Sequence, residues 1–245
     1  MAQIRHLNRA PIAEAVIELR VRSASPIGLE PLGALSSYWK PKYPLEQKVQ
    51  SVAATFGVQD GKPVTDAQYQ QLGYMLKTSD QHDVVQFRRD AFVFSQLQPY
   101  SSWEQVLPKA TELWASYREA IKPERLIRLG VRYINRLRLP LPVNLSEYLT
   151  SPPVAPQMSA STIRAYLTRM VLHDPGTGNS VTVTQASEPS TDQDQIVVLL
   201  DVDAFRDVDV SPADEGVIKM LESLRHVKNQ AFFGSITERT AEMYE

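Results

Sequence analysis

Charged side chains recur at even spacing in two stretches of this sequence. Glu14, Glu18 and Arg20 do so between residues 10 and 22, and Arg128, Arg132 and Arg136 between residues 125 and 139. In an extended strand successive side chains point to opposite faces, so each set falls on one face. If the two faces look into one groove, its walls carry guanidinium and carboxylate groups. Such walls suit a phosphate-rich ligand held by charge-assisted hydrogen bonds. The plainer use of the same residues is cross-strand Glu–Arg pairing on the solvated face of an antiparallel sheet. Asp201 and Asp203 also share a strand face and are the pair that would hold Mg²⁺ if a metal were used. Alternating aspartates are common at strand ends, and no metal is expected.

Other chemistry finds little material. The sequence has 245 residues and no cysteine, which excludes disulfides, thiolate metal sites and cysteine nucleophiles. His6, His82, His173 and His226 do not fall in HxH or HExxH spacing. No GxSxG, P-loop or GxGxxG segment occurs, and Gly176-Thr177-Gly178 belongs to a turn signal. No cofactor is expected. The net charge of −2 gives no general attraction to nucleic acid or to anionic lipid. It conceals an asymmetry, because residues 118–138 are rich in arginine and residues 187–222 in aspartate and glutamate. No apolar run reaches the ~18 residues of a membrane span, and charges interrupt the first 22 residues. A cytoplasmic protein is expected.

The elements that must position these side chains read as follows. Residues 10–22 alternate as a strand, with Ala13, Ala15, Ile17, Leu19 and Val21 opposite the charged set. A short helix follows Ser25-Pro26, with Leu29, Leu32, Leu35, Tyr38 and Trp39 as its apolar stripe. Strands are expected from 48, from 74 and from 84, with turns at 60–63 and near Arg89-Asp90. A long helix opens at Ser101 or Ser102, with Glu104 or Gln105 completing a capping box. Its stripe is Trp103, Val106, Leu107, Ala110, Leu113, Trp114 and Tyr117, and Pro123 ends it. Residues 125–139 read as a strand long enough to require a bulge or break, although the 128/132/136 spacing also fits a helix face. A short helix at 144, a loop at 151, a hairpin around residues 174–179 and a strand from 195 come next. The last helix begins at Ser211-Pro212 with Val217, Ile218, Leu221, Leu224 and Val227 inward, and Phe232, Phe233 and Ile236 must dock on something apolar.

Each half thus reads strand, short helix, several strands, long helix, divided as 1–122 and 123–245 within one compact unit. The expected class is α+β, an antiparallel sheet with long helices packed on one face, and the matching element order suggests two repeated halves. This order is similar to TATA-binding-protein-like and helix-grip folds. The Glu/Arg alternation of residues 14–20 has a similarity to the first strand of triphosphate-tunnel enzymes. It departs from them in having Val16 at its centre and no lysine.

Three segments in order carry a more specific resemblance. They are Pro11, Ile12, Glu14, Ala15 and Glu18; then Arg128, Gly130, Arg132, Tyr133, Asn135 and Arg136; then Phe232, Phe233, Ser235, Ile236 and Thr237. As PIxEAxxE, RxGxRYxNR and FFxSIT, this set resembles a sporadically distributed bacterial family without an assigned activity. The resemblance implies a bacterial cytosolic protein, and sporadic distribution is associated with accessory systems of the toxin–antitoxin or phage-defence kind. The expected function is a non-catalytic binding or regulatory module acting through a protein partner, for which a second copy in a homodimer is one candidate. The alternative is a nucleotide or polyphosphate sensor, or a metal-dependent phosphohydrolase, using Glu14, Glu18, Arg20, Arg128, Arg132 and Arg136.

Overall fold

In the computed structural model, which describes residues 1–59, 62–155 and 163–245 and only the strand backbone within 53–67, the chain folds around one nine-stranded antiparallel sheet. The strands are β1 (Ile12–Arg22), β2 (Leu45–Gln59), β3 (Lys62–Lys77), β4 (Asp83–Arg88), β5 (Ala91–Leu97), β6 (Arg125–Pro140), β7 (Leu167–Asp174), β8 (Asn179–Glu188) and β9 (Gln195–Val210). The helices are α1 (Leu29–Trp39), α2 (Trp103–Ile121), α3 (Gly216–Ser235) and α4 (Glu238–Glu242). The strand order is β2-β3-β4-β5-β1-β6-β9-β8-β7. The two strands that open the halves therefore lie side by side at the centre. Each is flanked by the last strand of its own half.

Alternation places the core. Ala15, Ile17, Leu19 and Val21 of β1 are buried, and so are Leu129, Val131, Tyr133, Leu137 and Leu139 of β6. In the register these sets stand opposite one another, as Ile17 with Val131 and Leu19 with Leu129. The stripes of α1, α2 and α3 join the same apolar cluster. Trp114 and Tyr117 of α2 form an aromatic block with Phe87 of β4 and Phe92 of β5, with ring centroids of the contacting pairs 5.5–6.4 Å apart. The bulge expected in the long strand lies at Ile127, where pairing steps from Val21–Leu126 to Arg20–Arg128. The extra residue lets Leu126 and Leu129, three apart, both face the core. Residues 125–140 are strand, so the helical reading of the arginine spacing does not apply.

Several details differ from the sequence reading. Tyr38 of α1 is exposed, while Ser36 takes a buried place. A step of three residues falls about 60° short of a full turn, so a stripe written 29, 32, 35, 38 drifts to the far side of the helix. Ile218 lies off the α3 stripe for the same reason, and Leu107 of α2 is only half-buried. Ser102 is the N-cap of α2, but its side chain makes no capping bond. Ser101 instead donates to the Gln96 side chain through its backbone N–H (2.9 Å) and its hydroxyl (2.7 Å). β3 begins at Lys62 rather than near 74, and the short helix at 144 is one 3₁₀ turn, Leu145–Glu147. The expected turn at 60–63 falls on Asp60 and Gly61, and the loop expected at 151 runs into Pro156. These positions lie outside the described residues.

Gly73 is the close-approach point of the β3–β4 pair. A Cβ there would stand 2.0 Å from the Phe87 carbonyl oxygen and 2.8 Å from the Arg88 Cα. Both neighbours are backbone, so the strands must part to admit a methyl group. Gly73→Ala is expected to lower stability by roughly 1–3 kcal/mol, read as a fall in the urea midpoint.

Candidate functional site

The charged set predicted from sequence sits together on the sheet face opposite the helices. The register brings Glu18 opposite Gly130 and Val16 opposite Arg132, while β9 sets Asp203 opposite Arg132. The arginines are engaged with this chain's own acids. Arg132 donates to both oxygens of Asp201 at 2.8 and 2.6 Å. Arg136 meets Glu188 at 2.8 Å, Arg20 meets Glu18 at 3.1 Å, and Arg128 reaches Asp203 at 3.2 Å. The Arg128 guanidinium also lies over the Phe205 ring, 4.1 Å from its centroid. The hydrogen bond from Arg132 to Asp201 holds that guanidinium above its usual range. Burial pushes the Asp203 carboxyl up, against the pull of Arg128 and Arg132. Asp201 and Asp203 are thus bound to arginines in the geometry observed. Glu14 borders a different feature, the groove described next.

That groove has a volume of about 1160 Å³ and lies where β1 begins, β5 ends and α2 starts. A strap, residues 4–10, forms one side. It is tied to the end of the chain: the Ala2 N–H donates to the Phe233 and Ile236 carbonyls, and the Arg9 N–H donates to the Tyr244 carbonyl at 2.9 Å. Arg5 pairs with Glu238 and Glu245. The opposite wall is α3 over β6. Lys228 projects there with 6% of its surface exposed, its Nζ 3.5 Å from the centroid of the Tyr133 ring. Tyr133 and Tyr100 share a hydrogen bond of 2.7 Å between their hydroxyls. Burial holds both phenols above their ordinary range, so they remain protonated at neutral pH.

Two cations on α3 have different surroundings. Arg225 is compensated, by Glu104 at 3.1 Å and Glu222 at 3.6 Å. Glu222 also accepts from the indole N–H of Trp103 at 2.6 Å. Lys228 sits one turn further on, and among the described residues no carboxylate pairs with it. Burial, helped by repulsion from Arg225, brings its ammonium down from 10.5 to about 7. The apolar stripe expected for this helix does not include Lys228. The signal was present, because Val217, Leu221, Leu224, Lys228 and Phe232 continue one stripe at helical spacing.

A third feature is the sheet edge. β7 pairs with β8 over eight residues without a register shift. Its outer side meets no other described strand. Leu167, Met170, Val171 and Leu172 are 73, 41, 58 and 55% exposed. Met170 and Leu172 stand beside Val183 and Val181, which are buried, so they continue the helix-covered face past its cover. Among the described residues no cluster of three or more potential metal ligands occurs, and no helix is long and apolar enough to cross a membrane. No protein-family model matches the chain, and no curated protein matches it.

Two stability effects follow. Arg132→Ala strips the largely buried Asp201 of its partner, so the urea midpoint falls; Arg132 is half-exposed and solvent-screened, which keeps the loss near 1 kcal/mol or below. Lys228→Met acts in the opposite direction. The folded state resists protonating Lys228, so the cost is complete below about pH 7 and vanishes as pH rises toward 10.5. That cost is a few kcal/mol, at roughly 1.4 kcal/mol per pH unit. Lys228→Met is therefore expected to melt higher than the parent at pH 6–7, with the gap closing toward pH 10, as read by calorimetry across that range.

Proposed function

We propose that the protein is a binding and regulatory module that acts through a protein partner, and that β7 is the partner surface. The observation that carries this reading is the run of exposed apolar side chains on an edge strand whose backbone groups face outward. Such an edge is a template for strand addition, and proteins ordinarily blunt it with prolines, bulges or inward charges. β7 has a regular register and no proline. The partner proposed is a second copy. A two-fold axis normal to the sheet keeps each face on its own side, so it pairs residues of like parity. Centred on Val171, it sets Met170 of one copy beside Leu172 of the other and extends the helix-covered apolar layer across the junction. The alternative, a nucleotide or polyphosphate sensor on the arginine face, requires Arg132 and Arg136 to release Asp201 and Glu188 first.

The bacterial accessory-system setting is supported by the three-segment resemblance. We also infer that the halves are repeats of one unit of the TATA-binding-protein-like kind. The support is the strand order, in which each half opens on a central strand and returns by a meander to pair beside it.

Light scattering after size exclusion tests the assembly. At micromolar concentration the parent is expected to run as a dimer, and the double variant Met170→Lys, Leu172→Lys as a monomer with unchanged far-ultraviolet circular dichroism. A parent that stays monomeric throughout this range removes the second copy as partner.

A further inference from the structure

We propose that the groove between the strap, α2 and α3 binds a small organic monoanion, a carboxylate on an apolar body, with Lys228 and the Tyr100–Tyr133 pair as its receptors. The proposal is independent of the edge-strand reading.

It begins from hydrogen-bond accounting. Lys228 carries up to three N–H donors and no acceptor when charged. One side of its Nζ rests on the Tyr133 ring, and no carboxylate answers it among the described residues. The two tyrosines have two O–H groups between them, and their mutual bond uses one. The second O–H is left to donate outward. The groove therefore presents an amine and a phenol that both lack an acceptor, in a lining that includes the aromatic rings of Trp103, Phe232 and Phe233. A carboxylate has two acceptor oxygens and matches one cation with one neutral donor. Lys228 alone balances a monoanion at this point of the groove, because Arg225 is already held by Glu104 and Glu222, Arg5 by Glu238 and Glu245, and Arg136 by Glu188. The aromatic wall favours an apolar body behind the charged group.

A monoanion also resolves the conflict at Lys228. Alone, the amine loses its proton near neutrality because burial penalises the charge. A carboxylate beside it favours the charged form, so binding takes up a proton. The other titratable and charged groups facing this space are Tyr133, Arg136 and Arg138 on β6, Tyr100 after β5, Glu104 on α2, Arg225 on α3, Glu14 on β1, Arg5, His6 and Arg9 on the strap, and Tyr244 after α4. His6 lines the same groove, so His6→Gln is carried as a control.

The test is isothermal titration calorimetry on the full chain with benzoate, octanoate, benzyl alcohol and inorganic phosphate. Benzoate or octanoate is expected to bind the parent at pH 6, more weakly by tenfold or more at pH 8.5, and between these pH values with an observed heat that changes with the buffer's ionisation enthalpy, as proton uptake requires. Lys228→Met is expected to remain folded and lose this binding. Tyr100→Phe should weaken it several-fold, and His6→Gln should leave the pH profile in place. Benzyl alcohol and phosphate are expected to give no heat above dilution. Carboxylate binding that persists in Lys228→Met, binding of phosphate in preference to both carboxylates, or silence of both carboxylates with the parent would each overturn the proposal. If Lys228 serves the fold alone, Lys228→Met melts lower than the parent and benzoate shifts neither melting temperature, which overturns it as well.

Discussion

Strand β6 has to satisfy two environments at once, and the rest of the molecule is arranged around that requirement. It lies at the centre of the sheet, between β1 and β9. One face carries Leu129, Val131, Leu137 and Leu139 into the core. The other carries Arg128, Arg132 and Arg136. With helices on a single side, the second face meets solvent, as antiparallel sheets allow. Arginines in mid-sheet still crowd one another, and acids must come from the neighbouring strands. Glu18 comes from β1, Asp201 and Asp203 from β9, and Glu188 from β8. A slip of one residue would turn the arginine row toward α2 and α3. Core and ion lattice thus enforce the same register. Exposed ion pairs add little stability singly; their larger effect here is to fix which residues stand opposite.

What was legible in the sequence follows from the same alternation. β1 and β6 have strict period-two patterns, so their faces could be assigned residue by residue. The bulge at Ile127 was expected from strand length, though its place was not. The start of β2 and the middle of β3 were poorly legible because Glu46-Gln47-Lys48 and Gln68-Tyr69-Gln70-Gln71 offer few apolar residues to set a period. Pairing partners were also hidden. Nothing in the letters says that Arg132 bonds Asp201 rather than Glu14, since diagonal reach depends on twist. Lys228 was the largest omission. A lysine on an apolar stripe looks like an interruption, and only tertiary placement against Tyr133 makes it a feature. Tyr100, in the segment between β5 and α2, had no periodic signal at all.

The two charged regions differ in one physical respect. On the open face, cations and anions alternate at hydrogen-bonding distance, and the field they make is largely cancelled within a few ångströms. In the groove the acids near α2 are committed to Arg225 and Trp103, while the neighbouring amine remains uncompensated. The number of charges is therefore a poor guide to a site. Arginine-rich segments drew attention because they are conspicuous in the sequence, yet their neighbours already satisfy them. A single buried amine against an aromatic ring perturbs its surroundings more, because low polarity leaves its field unscreened.

The position of β1 has a consequence for how the chain reaches this state. The first strand belongs in the middle of the sheet, between β5 and β6. During vectorial synthesis β5 emerges before β6, so the β1–β5 side can zip first and leaves the other edge of β1 open. That edge waits about a hundred residues for β6, which then serves as the template for β9. The strap comes last, since Ala2 and Arg9 bond to carbonyls at Phe233, Ile236 and Tyr244. Contacts of such long sequence separation are entropically late and slow. The groove closed by the strap thus completes only with the final turns of the chain, and an interrupted polypeptide holding the whole sheet would still lack it.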